Sequence, residues 1–338
     1  MREINIGKNE AGQRLDKFLG KYMSLAGKGF LYKMMRKKNI VLNGKKCAGQ
    51  ELLKEGDVLK LFLSDETIEK FSETKKTAVR ETALDIVYED GDILLINKPS
   101  GMLSQKAKET DESLVEYVIA YLLRTGAVTE EELKTFRPSV CNRLDRNTSG
   151  IVAAGKTLAG LQMLSEVFRE RSVHKYYLCI VSGVMKESVT ADGWLLKDEA
   201  KNQVRILGKK EAESMLKKGG EKPLPIRTKY EPVCENGAYT LLKVTLLTGR
   251  SHQIRAHLAS LGHPIIGDGK YGNAAENRRV KERYGVTSQL LHSYRLEFPE
   301  LAGSFRRLSG KSFEADPPAE FLKMAEGEQL ASLHKQFM

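Results

Sequence analysis

Cysteine is scarce in this sequence of 338 residues, and its four copies lie far apart. They are Cys47, Cys141, Cys179 and Cys234. Because no two of them form a C-x-x-C pair, the spacing indicates neither a zinc site nor a disulfide framework. We therefore expect reduced, buried thiols.

Long apolar runs are also absent. No stretch of 18 consecutive apolar residues occurs, and the first residues, Met-Arg-Glu-Ile-Asn-Ile, lack the apolar core of a secretory signal. These absences predict a cytoplasmic protein that does not enter the membrane.

Three common catalytic motifs are missing or misplaced. No H-E-x-x-H occurs, His252 and His257 are five residues apart rather than four, and no G-x-S-x-G elbow is present. Residues 150–157 satisfy the P-loop pattern, but their interval, Ile-Val-Ala-Ala, is typical of a strand rather than a phosphate-binding loop. We expect no metal site, no serine triad and no nucleotide hydrolysis.

Positive charge is concentrated near the N-terminus. The chain has 55 Lys and Arg against 44 Asp and Glu, a formal net charge of +11. Residues 1–64 hold 14 of these cations and six of the acids, so this fifth of the chain supplies +8 of the charge. Such a segment is typical of a protein that binds a polyanion, most simply nucleic acid. The alternative is a basic face that is merely solvated.

Residues 1–63 are predicted to form a small RNA-binding unit. Apolar residues recur at helical spacing from Leu15 to Tyr22 and from Leu31 to Met35, and Asn43-Gly44 after Ile-Val-Leu predicts a hairpin. This pattern, over roughly residues 12–62, resembles the S4 RNA-binding domain. The side chains predicted to bind phosphates are Arg14, Lys33, Arg36, Lys37 and Lys38.

A polar segment, 64–82, indicates a linker, and residues 83–325 indicate a larger domain. Strands are predicted at 85–92, 93–97, 151–154, 176–181 and 239–247, with helices near 113–123, 158–168 and 251–261, the last capped by Ser251. Residues 197–225 are predicted to be irregular excursions between strands. Because strands outnumber helices and do not alternate with them, an α+β fold with a mixed, largely antiparallel sheet is favoured.

The segment 141–150, Cys-Asn-Arg-Leu-Asp-Arg-Asn-Thr-Ser-Gly, is the most informative part of the chain. It sets Asp145 between Arg143 and Arg146, and positive charge on both sides favours an ionised, oriented carboxylate. Such a group is suited to act as a nucleophile or a base. The alternative is an aspartate that stabilises a turn through its own backbone.

Two further segments contain candidate site residues. Tyr176 and Tyr177 are consecutive on a strand, so their rings point to opposite faces, and one can pack in the core while the other reaches a pocket. Arg250 and Arg255 stand near the start of a helix, where an anion is favoured. Ordinary packing and surface pairing are the alternatives.

Several segments together resemble the RluA-type family of RNA pseudouridine synthases. They are Tyr88-Glu-Asp, Asn97-Lys-Pro-Ser-Gly, Arg143-Leu-Asp-Arg-Asn-Thr-Ser-Gly, Lys175-Tyr-Tyr, Thr248-Gly-Arg-Ser-His-Gln-Ile-Arg-Ala-His, Gly262-His-Pro-Ile-Ile-Gly-Asp with Tyr271-Gly, and Leu291-His. The family loop usually begins with His, where this chain has Asn142. Since both side chains form hydrogen bonds, we expect an adjusted loop in an active enzyme.

The resemblance implies isomerisation of uridine to pseudouridine in RNA, with no metal and no organic cofactor. It makes Asp145 the essential carboxylate, Tyr177 the aromatic that stacks on the base, and Arg255 the cation paired with Asp145. Arg143 and Arg250 are expected to bind RNA. Whether Asp145 attacks C1′, attacks the base or removes a proton stays open. The S4-like unit favours 23S rRNA as the partner of a monomer; tRNA modification, or a non-catalytic RNA-binding factor on this fold, are the alternatives.

Overall fold

A computed structural model describes residues 1–72, 82–198, 201–218 and 222–330. Residues 73–81 of the predicted linker, and the parts of the predicted irregular region at 199–200 and 219–221, therefore lie outside the described residues. No helix in the described ranges is long and apolar enough to span a membrane.

The N-terminal unit is a four-stranded antiparallel sheet packed against helices. Its elements are β1 (Arg2–Asn5), α1 (Leu15–Tyr22), α2 (Lys28–Arg36), β2 (Ile40–Leu42), β3 (Lys45–Lys46), β4 (Val58–Leu61) and α3 (Asp65–Phe71). The predicted helices and hairpin are present. Asn43 and Gly44 both have positive φ, 50° and 73°, as a tight two-residue hairpin turn requires.

Helix α3 corrects the interpretation of residues 64–82 as a linker. Ser64 caps this helix by accepting a hydrogen bond from the Thr67 backbone N–H, and Ile68 is fully buried in the N-terminal core. Ile68 and Phe71 pack against this core from an otherwise polar sequence, so the helical periodicity is weak. The stated boundaries of the two units remain a prediction.

The C-terminal unit is built on an eleven-stranded mixed sheet. Its elements are β5 (Ile86–Glu89), β6 (Ile93–Lys98), α4 (Leu114–Arg124), β7 (Ser139–Val140), β8 (Ser149–Gly155), α5 (Leu158–Glu170), β9 (His174–Ser182), β10 (Val189–Asp198), β11 (Gln203–Leu207), α6 (Lys209–Lys218), β12 (Leu224–Glu235), β13 (Tyr239–Leu246), α7 (Gln253–Ser260), α8 (Ala274–Tyr284), β14 (Leu291–Glu297), β15 (Ser312–Glu314) and α9 (Ala319–Gly327).

The strand order is β11-β10-β12-β13-β9-β14-β8-β6-β5, with β15 beside β14 and β7 beside β8. Strands β14 and β8 pair in parallel, and the other neighbouring strands in the described ranges pair antiparallel. The α+β fold with a mixed, largely antiparallel sheet is thus confirmed. Gly150 allows the parallel approach, because a Cβ there would lie 2.3 Å from the Ser293 carbonyl oxygen.

Helices cover both faces of this sheet. One face packs against apolar side chains of α4 and α7, and the other against α5, α8 and α9. Strand β9 shows the alternation, since Tyr177 packs in the cluster beneath α4 and α7 while Tyr176 packs on the opposite face. The face under α4 and α7 is the one that carries the candidate site.

Two local predictions were wrong. Helix α7 begins at Gln253 rather than at 251, and its N-cap is His252, in a left-handed conformation, rather than Ser251. The predicted irregular region 197–225 contains β11, α6 and the start of β12. Strand β11 pairs with β10 through its backbone, which a polar, weakly periodic sequence does not reveal.

Candidate active site

The loop that carries Asp145 joins β7 to β8 and is held by the segment after β6. The Ser104 hydroxyl donates to the Leu144 carbonyl at 2.9 Å and accepts from the Leu144 backbone N–H at 3.0 Å. Lys98 Nζ donates to the Arg146 carbonyl at 3.0 Å. The backbone on both sides of Asp145 is therefore fixed by a neighbouring segment rather than by its own turn alone.

Arg255, on α7, connects Asp145 to a second aspartate. Its Nη1 donates to Asp145 Oδ2 at 2.9 Å, while Nε and Nη2 donate to the two oxygens of Asp268 at 2.7 and 2.9 Å. The side chain of Asp268 is fully buried, that of Arg255 is 7% exposed, and that of Asp145 is 25% exposed. Asp145 is thus the open end of a buried chain of charges.

Burial disfavours the charged forms of Arg255 and Asp268, but the contacts between these two side chains outweigh the effect of burial. Burial would raise the pKa of Asp268, but the hydrogen bonds and charge of Arg255, with two backbone N–H groups, hold it below its ordinary value. Burial would likewise lower the pKa of Arg255, and Asp268 with Asp145 raises it instead. Arg255 is therefore a permanent, oriented cation against the Asp145 carboxylate.

Tyr177 lies on the same side of the sheet as Asp145. Burial raises the pKa of its phenol to about 12, and the negative charge of Asp145 acts in the same direction. Tyr176, on the opposite face, is half-buried between the cations of Lys243 and Arg295, 5.3 and 5.7 Å from its ring centroid. Of the two tyrosines, the one that the resemblance assigned to the site is also the more deeply buried.

Lys98 is a site residue that the sequence analysis did not assign. Its side chain is fully buried, and Nζ donates to the carbonyls of Pro99, Met102 and Arg146 at 2.9, 2.9 and 3.0 Å. Burial lowers its pKa from 10.5 to about 7, with the Asp145 charge opposing the shift. A lysine that precedes a proline at a strand end was the available signal, but the sequence gives no hint that it is buried.

Asp268, the buried partner of Arg255, and His252, a neighbour of Asp145, were also missed. Asp268 stands in one of the segments that carried the resemblance, without a role attached to it. His252 places Nε2 at 3.9 Å from Asp145 Oδ2. Neither is near Asp145 in sequence, so only the packing of α7 against the loop brings them together.

Asn142 stands at the start of the loop, where the resemblance led us to expect His. Its Oδ1 accepts a hydrogen bond from the Ala153 backbone N–H at 2.8 Å, and its Nδ2 donates to the Ile151 carbonyl at 3.2 Å. The side chain therefore ties the start of the loop to the backbone of β8.

The seven predicted RNA-binding residues are all exposed: Arg14, Lys33, Arg36, Lys37, Lys38, Arg143 and Arg250. Arg143 and Arg250 lie two and five residues from members of the Asp145–Arg255 pair, and the other five lie on the N-terminal unit. Arg14 is engaged, because its Nε and Nη2 donate to the two carboxylate oxygens of Asp16 at 3.1 and 2.8 Å.

Comparisons with known proteins agree with this architecture. Residues 92–260 match the family model described as RNA pseudouridylate synthase. The "Ribosomal large subunit pseudouridine synthase C" of Vibrio cholerae is 31% identical over 94% of this chain and 93% of its own length. The protein of that name from Salmonella typhi is 32% identical over 87% of this chain and 88% of its own length.

A solved structure supports the fold. The human protein titled "RNA Pseudouridylate Synthase Domain Containing 4" aligns with a TM-score of 0.56 at 18% identity, over 72% of this chain and 92% of its own.

Proposed function

Because this chain belongs to the RNA pseudouridylate synthase family, we propose that it converts specific uridines of large-subunit ribosomal RNA to pseudouridine, using Asp145 as the essential carboxylate. The substrate assignment is supported by relatives named for the large ribosomal subunit, which match this chain along most of its length. Within that RNA, the resemblance of the N-terminal unit favours 23S rRNA.

The reaction needs no atom beyond those of the uridine. The N1–C1′ bond breaks, the base turns, a C5–C1′ bond forms, the proton on C5 leaves and N1 gains one. No electron is gained or lost overall, so the reaction requires no redox partner. A carboxylate suits it, either as a nucleophile that holds a covalent intermediate or as a base.

The observation that carries the proposal is the Asp145–Arg255–Asp268 chain. Asp268 fixes two nitrogens of Arg255 from a fully buried position, and the third nitrogen of the fork is directed at Asp145. The partly exposed Asp145 therefore meets a cation whose position is set before the substrate arrives. Pre-oriented charge of this kind stabilises a transition state without reorganisation during the reaction.

Tyr177 is assigned to the base of the target uridine. With a pKa of about 12 its phenol stays protonated at neutral pH, so it offers an apolar ring and an O–H donor rather than a base. A uridine can reach this ring and Asp145 only after leaving its helical stack. That extrusion costs a few kcal/mol and costs least in a loop or bulge.

The N-terminal unit is assigned to substrate binding. Residues 1–63 would act as an S4-like RNA-binding domain, and residues 83–325 would form the catalytic domain. The exposed cations of α2 and the turn that follows it, Arg36, Lys37 and Lys38, would bind phosphates, and Arg143 and Arg250 would bind RNA beside the site. We propose that the enzyme acts as a cytoplasmic monomer.

Pseudouridine mapping tests this function. Carbodiimide-dependent primer stops would be compared in rRNA and tRNA from cells with the gene, without it, and with Asp145→Asn. We expect stops in 23S rRNA that disappear in the last two strains. Lost stops in tRNA alone would make it a tRNA enzyme, and unchanged stops everywhere would favour a non-catalytic RNA-binding role.

A purified pair of variants separates chemistry from folding. Asp145→Asn should abolish tritium release from [5-³H]uridine-labelled rRNA while filter binding and the melting temperature stay near wild type. The matched control is Asp192→Asn, which also removes a carboxylate paired with an arginine, Arg227, at 3.4 Å, but an exposed one. Near wild-type turnover by Asp145→Asn would contradict the catalytic assignment.

A further inference from the structure

His252 holds a strained backbone that its helix does not explain. As the N-cap of α7 it has φ 56° and ψ 13°, a left-handed conformation, and its side chain makes no capping hydrogen bond. For a residue other than glycine such a conformation is unfavourable, and it persists only where other contacts enforce it. Those contacts are made by the imidazole ring.

The ring bridges a tyrosine and the catalytic carboxylate. Nδ1 lies 2.9 Å from the hydroxyl of Tyr271, and Nε2 lies 3.9 Å from Asp145 Oδ2. The His252 side chain is only 11% exposed, so water has little access to either contact. The same Oδ2 accepts the hydrogen bond from Arg255.

Tyr271 is itself held at several points. Its hydroxyl oxygen accepts from the Val204 backbone N–H of β11 at 2.9 Å, and its own backbone N–H donates to Asp268 Oδ1 at 3.1 Å. Its ring lies against the Arg255 guanidinium, with Cζ 5.3 Å from the ring centroid. Tyr271 therefore contacts each partner of Asp145 in this cluster.

These contacts select one form of the histidine. Because the Tyr271 oxygen already accepts from Val204, we assign its proton to the bond with His252 Nδ1 and the ring proton to Nε2. Burial lowers the pKa of His252, and this favours the neutral ring. The charged groups that act on the ring are Asp145, Arg255, Lys270 and Asp268.

We infer that Tyr271 and His252 form a positioning pair, which presents a neutral Nε2–H to Oδ2 of Asp145 so that Oδ1 faces the target nucleotide. The inference rests on the proposed role of Asp145. At 3.9 Å the contact is longer than a hydrogen bond, and we expect it to shorten when substrate closes the site. With Arg255 and His252 both on Oδ2, the carboxylate cannot rotate freely.

Tyr271→Phe tests the pair with little change of shape. It keeps the ring against Arg255 but removes the proton that occupies Nδ1, so His252 can take a second proton and pair with Asp145 as a cation. We expect kcat to fall by about tenfold to a hundredfold with little change in KM, as for a misplaced reacting group. The acid limb of the kcat–pH profile should move to higher pH.

His252→Asn is the second variant, because asparagine adopts the left-handed conformation readily. His252→Asn should lower kcat. Adding Tyr271→Phe to this variant should not lower kcat further, because the Tyr271 hydroxyl then has no imidazole ring to orient. The matched control is Tyr284→Phe, which removes a tyrosine hydroxyl hydrogen-bonded to Glu328 at 2.6 Å, away from the site. Its kcat and acid limb should equal those of wild type.

The outcomes separate this inference from the function on which it depends. Wild-type kcat and an unmoved acid limb in Tyr271→Phe overturn the positioning pair, as does a loss seen only in KM or melting temperature. Additive losses in the double variant also overturn it. Measured beside them, an active Asp145→Asn would overturn the proposed function instead.

Discussion

Each of the two units of this protein contains an arginine that donates two hydrogen bonds to an aspartate. The geometry of the two pairs is nearly the same, but one pair is partly exposed to solvent and the other is buried. Arg14 reaches Asp16 at 3.1 and 2.8 Å, and Arg255 reaches Asp268 at 2.7 and 2.9 Å. The side chains are 46% and 17% exposed in the first pair and 7% and 0% in the second.

That difference in burial gives the pairs different uses. In water the Arg14 pair is screened, so the proposed exchange of Asp16 for an RNA phosphate would leave no buried charge unpaired. The Arg255 pair cannot exchange partners without leaving a charge buried and alone. Its geometry is therefore fixed before RNA binds, which is what a group directed at Asp145 needs.

The sharpest test of the comparison is to neutralise the aspartate of each pair. Asp268→Asn should lower the free energy of unfolding by about 3–5 kcal/mol, because Arg255 keeps its charge in a buried site with one anionic partner removed. It should also abolish turnover. Asp16→Asn should leave both unfolding and turnover near wild type. Urea unfolding and tritium release measure the two effects.

Equal stability losses from Asp268→Asn and Asp16→Asn would contradict the distinction between the buried and the exposed pair. A stable but inactive Asp268→Asn would mean that Asp268 orients Arg255 without contributing to the fold.

Strand β9 offers the same contrast on consecutive residues. Tyr177→Ala should cost about 3 kcal/mol of unfolding free energy, since it empties a buried site in the largest apolar cluster, and it should abolish turnover. Tyr176→Ala should cost clearly less and spare turnover, because that ring is half-buried between Lys243 and Arg295. Activity that followed Tyr176 instead would place the wrong ring at the site.

The sequence was sufficient to predict those elements whose structure follows directly from a local pattern of residues. Alternating and helical apolar spacing located most strands and helices, and Asn43-Gly44 located the hairpin turn. The resemblance led to Asp145, Tyr177 and Arg255, which the structure brings to one face of the sheet. The Asp145–Arg255 hydrogen bond fits its expectation that these two residues pair.

What could not be predicted depends on packing between distant segments. Lys98 looks like an ordinary lysine before proline, and its burial comes from folding of the Asp145 loop over it. Asp268 is 13 residues from Arg255 and across a loop. Helix α3 was missed because its core contacts, Ile68 and Phe71, form too short a repeat to detect in a polar sequence. No local pattern carries that information.

The salt dependence of RNA binding tests the role of the exposed cations on and after α2. Changing Arg36, Lys37 and Lys38 together to Glu should weaken RNA binding and flatten its dependence on salt, by roughly one unit of log–log slope for each lost phosphate contact. The matched control reverses three exposed cations of α8 and α9, Arg278, Lys281 and Lys323. Filter binding at several salt concentrations measures both, and equal slopes in the two triple variants would show that the α2 surface is merely solvated.

Lys98 gives the most specific of the expected effects, a change in how stability depends on pH. Its pKa is about 7 in the folded protein and 10.5 when unperturbed, so between these values the unfolded chain binds the extra proton. Stability from this group therefore rises with pH across that window, by at most about 1.4 kcal/mol per pH unit, and the penalty is greatest below pH 7. In Lys98→Met this rise should disappear.

The measurement is the difference in unfolding free energy between wild type and Lys98→Met at several pH values from 6.5 to 9.5. Lys323→Met serves as the control, because it removes a lysine from an exposed position. Lys98→Met also removes three hydrogen bonds to carbonyls, and this loss should shift the difference in unfolding free energy by the same amount at every pH. Only the titration of Lys98 should make that difference change with pH. A difference in unfolding free energy that is the same at every pH would mean that Lys98 stays charged throughout, held as an ammonium by those three carbonyls and by Asp145.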